Sequence, residues 1–291
     1  MNYESVSLGA TTRKTLLYRT GVEYGDYCVN HVEGCSHGCI YPCYAMMMKK
    51  RTGVVSGYDE WTRPKIVTNA LELLKKELPR HKNKIRSVHL CFATDPFMVG
   101  YDEIHTMSLQ IIEQLNRSDI YCTVLTKGVY PVQQINMSHR KNRYGITLVS
   151  LSETFRKTYE PQTATLSERI GALDRLHKAG FPTWVSIEPY PTPNIISQDI
   201  RKLLAEVSFA TEIVFGKLNY NAKVKAYPRW REFYNEQAAI VAEYCTKRGI
   251  RYHIKNGTVS ESYPVEGRQE EDGNSMTYRG DGGGKRGQAS S

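Results

Sequence analysis

The chain has 291 residues, 40% of them hydrophobic, with a formal net charge of +9 and a pI near 9.1. That length buries one large α/β core, the reading favoured here, or two small ones. No apolar run approaches the roughly 20 residues of a membrane helix, and the opening MNYESVSLGATTRK lacks the charged-then-apolar order of a secretion signal, so a cytoplasmic protein with no membrane partner is expected.

From about residue 64 onward, strand-like runs alternate with segments of helical period, as in repeated βα units around a parallel sheet. Lys65 to Leu78 places Ile66, Ala70, Leu73, Leu74 and Leu78 on one face of a helix, and Arg86 to Phe92 reads as a strand. A helix over Glu103–Leu115 and a strand over Asp119–Leu125 follow. Tyr144–Leu151 is the next strand, with Ser150 and Ser152 at its end, and Leu166–Ala179 is a helix stopped by Gly180. Strands over Trp184–Ile187, Glu212–Phe215 and Ile250–Ile254 are separated by helices over Asp199–Val207 and Trp230–Arg248. The sum is about six βα units, a partial (βα)6 barrel. One core domain over 1–257 is expected, followed from about Thr258 by a Gly-, Ser- and charge-rich tail too poor in aliphatics to offset its ordering entropy and so expected to be disordered.

Three of the seven cysteines crowd into Gly34-Cys35-Ser36-His37-Gly38-Cys39-Ile40-Tyr41-Pro42-Cys43-Tyr44-Ala45. Their spacing would stripe a helix, but Gly34, Gly38 and Pro42 favour a loop curled around a bound object. Thiolates converging from one loop call for a metal. Structural zinc needs a fourth protein ligand, for which His37, His31 and Cys28 are candidates; a cubane cluster held by three cysteines leaves one iron open.

The loop resembles that of the radical S-adenosylmethionine superfamily, and within it the spore photoproduct lyase-like group, whose members carry GC-x-HGC-x-YCYA. This chain departs from the family's C-x3-C-x2-C in having C-x3-C-x3-C, most simply through an extra Pro42. Ala93-Thr94-Asp95-Pro96-Phe97-Met98 resembles the family's TDP segment, Leu125-Thr126-Lys127 its TK, and Glu160-Pro161 with Arg169 its EP and helix arginine. The resemblance implies a 4Fe-4S cluster on Cys35, Cys39 and Cys43 that binds S-adenosylmethionine, reductive cleavage of that cofactor, and hydrogen abstraction from a substrate. It implies an external electron donor of flavodoxin or ferredoxin type and admits a nucleic-acid substrate, in the sharpest version a DNA lesion. Lys127 is then the candidate cation for the methionine carboxylate, Ser152 and Thr94 for ribose and amine, Tyr41 or Tyr44 for the adenine, and Arg169 for the cofactor's surroundings. Asp95, at a strand mouth, is the candidate polar catalytic group. Cys91, one residue out of the family register, is the candidate hydrogen donor.

Bland readings stand beside these: solvated lysines, helix-capping serines, and cysteines used as small core hydrophobes. Tyr220 to Tyr234 interleaves Lys223, Lys225, Arg229 and Arg231 with Tyr227, Trp230 and Phe233, which suits nucleic acid and the start of an amphipathic helix equally. Glu188, before Pro189-Tyr190-Pro191, is expected at the mouth of the fifth strand as a substrate contact or a salt bridge. The competing class is a zinc-stabilised basic protein that binds nucleic acid without catalysis.

Overall fold

The computed structural model describes residues 7–21, 26–81 and 84–260. Its elements run β1 (Gly9–Thr11), β2 (Leu17–Arg19), β3 (Tyr27–Val29), β4 (Val32–Glu33), α1 (Tyr44–Arg51), α2 (Tyr58–Trp61), β5 (Lys65–Val67), α3 (Ala70–His81) and β6 (Ser87–Leu90). The chain continues through α4 (Asp102–Asn116), β7 (Tyr121–Thr126), α5 (Val132–Ile135), β8 (Arg143–Thr147), α6 (Glu153–Tyr159), α7 (Leu166–Lys178) and β9 (Thr183–Tyr190). It ends with α8 (Ile200–Glu206), β10 (Glu212–Lys217), α9 (Ala222–Ala226), α10 (Trp230–Arg248) and β11 (Arg251–Ile254).

The main sheet has the order β11-β10-β9-β8-β7-β6-β3-β2. Only the β2–β3 pair is antiparallel; the other pairings are parallel, and β2 and β11 remain as unjoined edges. This is the expected part-open βα architecture, six strand-to-helix units closed by β11. Register sorts its two faces, because neighbours across a parallel pair point the same way. Ile146, Val185 and Ile213 align across β8, β9 and β10 and enter the main core beneath the helices. On the opposite face lie Thr147, Ser186 and Val214, and one layer below them Gly145, Trp184 and Glu212. A Cβ on Gly145 would come within 2.4 Å of the Trp184 indole, so glycine makes room for that ring.

Two sequence expectations change. Lys65–Val67 is no helix start but the middle strand of a small second sheet, parallel to β1 and antiparallel to β4. The fourth parallel strand stops at Thr147, and Ser152 caps α6 by accepting from the Phe155 N–H at 3.2 Å. At the other end of the chain, Asn235 holds Ser260 by two hydrogen bonds and Thr258 is buried; the rest of the tail lies outside the described residues.

Several buried histidines make the fold acid-sensitive. Burial pulls His31 and His89 down to about 3 and His37 to about 4. A base with a depressed folded pKa contributes fully above its unfolded value of about 6.5 and loses that contribution as pH falls toward the folded value. Urea midpoints are therefore expected to fall between pH 6.5 and 5, above the carboxylate range, with about 1.4 kcal/mol lost per pH unit for each histidine. His31→Gln should flatten the slope by about one proton; an unchanged slope excludes His31 as a source.

Candidate active site

The loop between β4 and α1 is shaped by glycine and braced from outside. Gly34 has φ +78°, and a Cβ there would lie 2.7 Å from the Trp61 carbonyl oxygen; Gly38 has φ +58°. The Cys35 N–H donates to that Trp61 oxygen at 2.8 Å and the Ile40 N–H to the Tyr159 carbonyl at 2.9 Å. Tyr58 spans the second half of the loop: its hydroxyl donates to the Cys39 carbonyl at 2.6 Å and accepts from the Cys43 N–H at 3.4 Å. The longer Cys39–Cys43 spacing is taken up as a turn at Ile40–Pro42, after which Cys43 is the residue immediately before α1.

The three thiols feel one another. Burial pushes Cys35 well up, with Asp95, Cys39 and Cys43 adding to it, and pushes Cys39 to about 12. Lys127, at the end of β7, shares this neighbourhood. Burial alone would lower its ammonium, but Cys39 and Glu160 outweigh that and hold its pKa up, and its Nζ lies 5.8 Å from the Tyr41 ring centre.

Behind the loop is a buried network. The Tyr41 hydroxyl donates to Glu160 Oε1 at 2.7 Å, and Arg169 Nη2 donates to Glu160 Oε2 at 2.8 Å. Arg169 spends its other nitrogens on the Ala164 and Thr147 carbonyls, each at 3.0 Å, and Nη2 also reaches the Thr163 hydroxyl. Burial would raise the Glu160 carboxyl, but Arg169 and Lys127 keep it below the usual carboxylate range. Tyr41 is fixed at its backbone too, its carbonyl accepting from Asn221 Nδ2 at 2.9 Å.

These placements correct several sequence expectations. Arg169, with its side chain 0% exposed, braces Glu160 instead of facing a cofactor, and Tyr41 turns inward, leaving Tyr44 as the exposed aromatic. Tyr44 stacks on Tyr220 with ring centres 5.9 Å apart. Asp95 is no free catalytic carboxylate: Oδ1 accepts from the Phe97 N–H at 2.9 Å and the Thr126 hydroxyl at 2.6 Å. Its Oδ2 accepts from the Lys127 N–H at 2.7 Å and lies 3.4 Å from His37 Nδ1. It knits the loop to the ends of two strands. Cys91 has φ +54°, a strained value for a residue with a side chain, and its buried sulfur meets His31 Nδ1 at 3.4 Å. A hydrogen donor must meet substrate; this thiol meets His31. Thr94 donates to the Val32 carbonyl at 3.3 Å.

The fourth ligand that zinc requires is missing from its three candidates. His37 is engaged at both ring nitrogens, by Asp95 and by the Val99 N–H at 3.5 Å. His31 bonds Ser108 and Cys91, and Cys28 is buried on β3 against the Tyr18 hydroxyl. Among the described residues no three His, Cys, Asp or Glu side chains, those of Cys35, Cys39 and Cys43 included, stand together as a group that could hold a metal ion. The basic-aromatic segment resolves as an amphipathic start: Tyr234 is buried with its hydroxyl on the Tyr190 carbonyl, while Lys223, Lys225, Arg229 and Arg231 are exposed. Glu188 pairs with Lys255 at 3.0 Å, and Gly216 makes room, since a Cβ there would come within 2.8 Å of the Glu188 carboxyl carbon. Tyr58, Asn221 and Lys255 carried no local signal in the sequence; His37 did, inside the loop motif.

Comparison with known proteins agrees with the loop. The family model of the radical SAM superfamily matches residues 29–207. An uncharacterized protein of Mycobacterium bovis is 26% identical over 195 residues, covering 63% of this chain and 55% of its own length. One from Acidianus two-tailed virus is 23% identical over 212 residues, covering 68% and 69%. The chain thus spans about half the length of the mycobacterial relative it matches. Among solved structures, spore photoproduct lyase complexed with a dinucleoside spore photoproduct superposes with a TM-score of 0.62 at 16% identity, over 85% of this chain and 81% of the other. A variant of that enzyme with bound AdoMet gives 0.61 at 15%, over 84% and 80%. At such identities the likeness is one of fold. Among the described residues no helix is long and apolar enough to cross a membrane.

Proposed function

Because the chain belongs to the radical SAM superfamily, whose members use a 4Fe-4S cluster and S-adenosylmethionine, we propose that it is an enzyme whose Cys35, Cys39 and Cys43 hold that cluster. The observation that supports this reading is the placing of three loop thiols within one another's electrostatic reach, two of them, Cys39 and Cys43, also within reach of the charged Lys127, while every candidate fourth ligand is engaged elsewhere. The donor set fits: three thiolates satisfy three irons of a cubane and leave the fourth for an outside ligand. Bound there, cluster and cofactor would supply, on one-electron reduction, the radical chemistry for hydrogen abstraction from a substrate.

The chain's own groups prepare the place. Lys127 presents a retained positive charge for the methionine carboxylate, with its backbone held by Asp95. Ser152 accepts the capping N–H and keeps its own hydroxyl hydrogen for a ribose oxygen, and Thr94, beyond the end of β6, would offer its hydroxyl oxygen to the cofactor's amine. Tyr44, half-exposed beside Cys43, is the aromatic for the adenine. His37 and Asp95 orient the loop. For the substrate, the exposed Lys223, Lys225, Arg229 and Arg231 and the net charge of +9 favour a phosphate-bearing molecule, a nucleic acid first.

Anaerobic reconstitution with iron and sulfide is expected to give a brown protein with about four irons per chain. Reduction with dithionite in the presence of S-adenosylmethionine should then release 5′-deoxyadenosine. A colourless protein that keeps one zinc per chain after reconstitution overturns the proposal in favour of the non-catalytic reading.

A further inference from the structure

The end of the sheet opposite the cysteine loop holds its positive charge in a distinctive way. Lys127 follows β7 at the mouth and Tyr121 begins it, and at about 3.3 Å per residue the two lie roughly 20 Å apart. The connection from α5 to β8, residues 136–142, reads NMSHRKN and crosses this far end. Arg140 Cζ lies 4.3 Å from the centre of the Phe181 ring, and Lys141 Nζ lies 4.9 Å from that of Tyr121 while donating to its hydroxyl at 3.0 Å. Both cations are exposed, and among the described residues neither has an ion-pair partner, unlike Arg117 nearby, which pairs with Glu113 at 2.6 Å. Farther along the same end, Arg248 Cζ lies 3.8 Å from the Tyr244 ring centre, and Arg143 and Arg251 share the single carboxylate of Glu212 at 2.6 and 3.4 Å. A ring holds a cation in place without neutralising it, so this end keeps an excess of fixed positive charge.

The connection itself is pinned. Asn142, wholly buried, accepts from the Cys122 N–H at 2.9 Å and from Asn116 Nδ2 at 3.0 Å, and donates back to Asn116 Oδ1 at 2.8 Å. The same Asn116 oxygen accepts from the His139 N–H at 3.1 Å. Cations fixed before contact lose little freedom when a partner arrives.

The chemistry selects that partner. A protein interface needs an apolar centre, and Met137 is the one large apolar side chain exposed on this connection. Unstacked bases need open rings, and those of Phe181 and Tyr121 are covered by Arg140 and Lys141. A repeated anion recognised by charge alone suits the surface best, and the phosphodiester backbone of a duplex is such an anion.

We propose that this end of the molecule is a second nucleic-acid contact, separate from substrate entry at the mouth, which grips a duplex backbone without reading its sequence. A chain held by its far end keeps the mouth and the cysteine loop clear. The contact stands apart from the enzyme reading, because it uses neither the cluster nor the groups assigned to the cofactor.

Fluorescence anisotropy tests it, with a labelled DNA duplex of about 20 base pairs and arbitrary sequence titrated with the full chain between about 50 and 200 mM salt. Arg140→Gln/Lys141→Gln is expected to lower affinity about tenfold at the lowest salt and to flatten the slope of log affinity against log salt by about two, one for each lost phosphate contact. Lys141→Gln alone leaves the guanidinium over Phe181, should flatten the slope by about one, and serves if the double variant does not fold. Arg140→Lys/Lys141→Arg keeps both charges and should keep the wild-type slope. Unchanged affinity and slope in the glutamine variants, or no wild-type affinity for the duplex, overturns the proposal. An equal loss in the charge-keeping variant also overturns it and makes the two cations braces for Phe181 and Tyr121. So does a larger loss on vesicles of phosphatidylcholine and phosphatidylglycerol than on duplex, which assigns this end to a membrane surface. Lys223→Gln/Lys225→Gln reads the mouth separately: loss of duplex affinity there with none at Arg140 and Lys141 leaves nucleic acid at the mouth alone. The measurement needs no cofactor cleavage, so failure of the enzyme reading leaves the far-end contact standing.

Discussion

Replacing Cys35, Cys39 or Cys43 singly with alanine is expected to reduce reconstituted iron from about four per chain to less than about one, and 5′-deoxyadenosine to background, in a chain that remains folded. The expectation of folding comes from how the loop is held. Its shape depends on Gly34 under the Trp61 carbonyl, on Tyr58 bridging Cys39 and Cys43 through backbone atoms, and on the Ile40 N–H at Tyr159, none of which uses a thiol. Cys35 and Cys43 are only partly buried, so truncation removes little packing. Only Cys39 is buried, and losing one sulfur there costs on the order of 1 kcal/mol. Cys28→Ala and Cys245→Ala serve as controls: both are core cysteines, one on β3 and one on α10, and both variants should retain iron. Iron and sulfide analysis, with the urea midpoint measured in parallel, separates loss of ligand from loss of fold. Full iron in any of the three loop variants removes that cysteine from the ligand set.

What could be read from the sequence was local. Helix α10 is found at its own bounds because its start is marked by Trp230 and its end by Gly249, which takes φ +65° as a C-terminal glycine should. Gly34, Gly38 and Pro42 exclude a helix through the cysteines for reasons confined to those residues. What was misread depends on distant partners. Ile66 lies in helical phase with Ala70, yet β5 is fixed as a strand by Gly9–Thr11, some 56 positions away, and by Val32–Glu33. Asp95 was visible as part of a motif, but its role follows from Thr126, Lys127 and His37, which only the fold brings to its two oxygens. Arg169 and Tyr41 share the same difficulty. Both were legible as members of a pattern, and both turn toward Glu160, 9 and 119 positions away, instead of toward a cofactor.

That shared carboxylate leads to the second large effect. Arg169→Met is expected to destabilise the chain by about 3–5 kcal/mol, because it strands a buried carboxylate and frees the carbonyls of Thr147 and Ala164. Replacing both partners, as Glu160→Met/Arg169→Met, should recover much of this loss, since apolar groups of similar volume often substitute for a buried ion pair at little net cost. Iron content is expected to behave otherwise. Tyr41 stands two residues from Cys39 and two from Cys43, and its hydroxyl has Glu160 as acceptor. Without that carboxylate Tyr41 keeps only the Asn221 hydrogen bond to its carbonyl, and the turn that absorbs the longer Cys39–Cys43 spacing is held by that bond and the Ile40 N–H on the Tyr159 carbonyl. The double variant should therefore regain its urea midpoint and still bind less than about half of the wild-type iron at limiting ferrous ion, a penalty of a few tenths of a kcal/mol or more on the loaded state. Recovery of iron together with stability would place Glu160 and Arg169 in the scaffold alone. Recovery of stability without iron makes them the pair through which the βα core sets the position of the third cysteine.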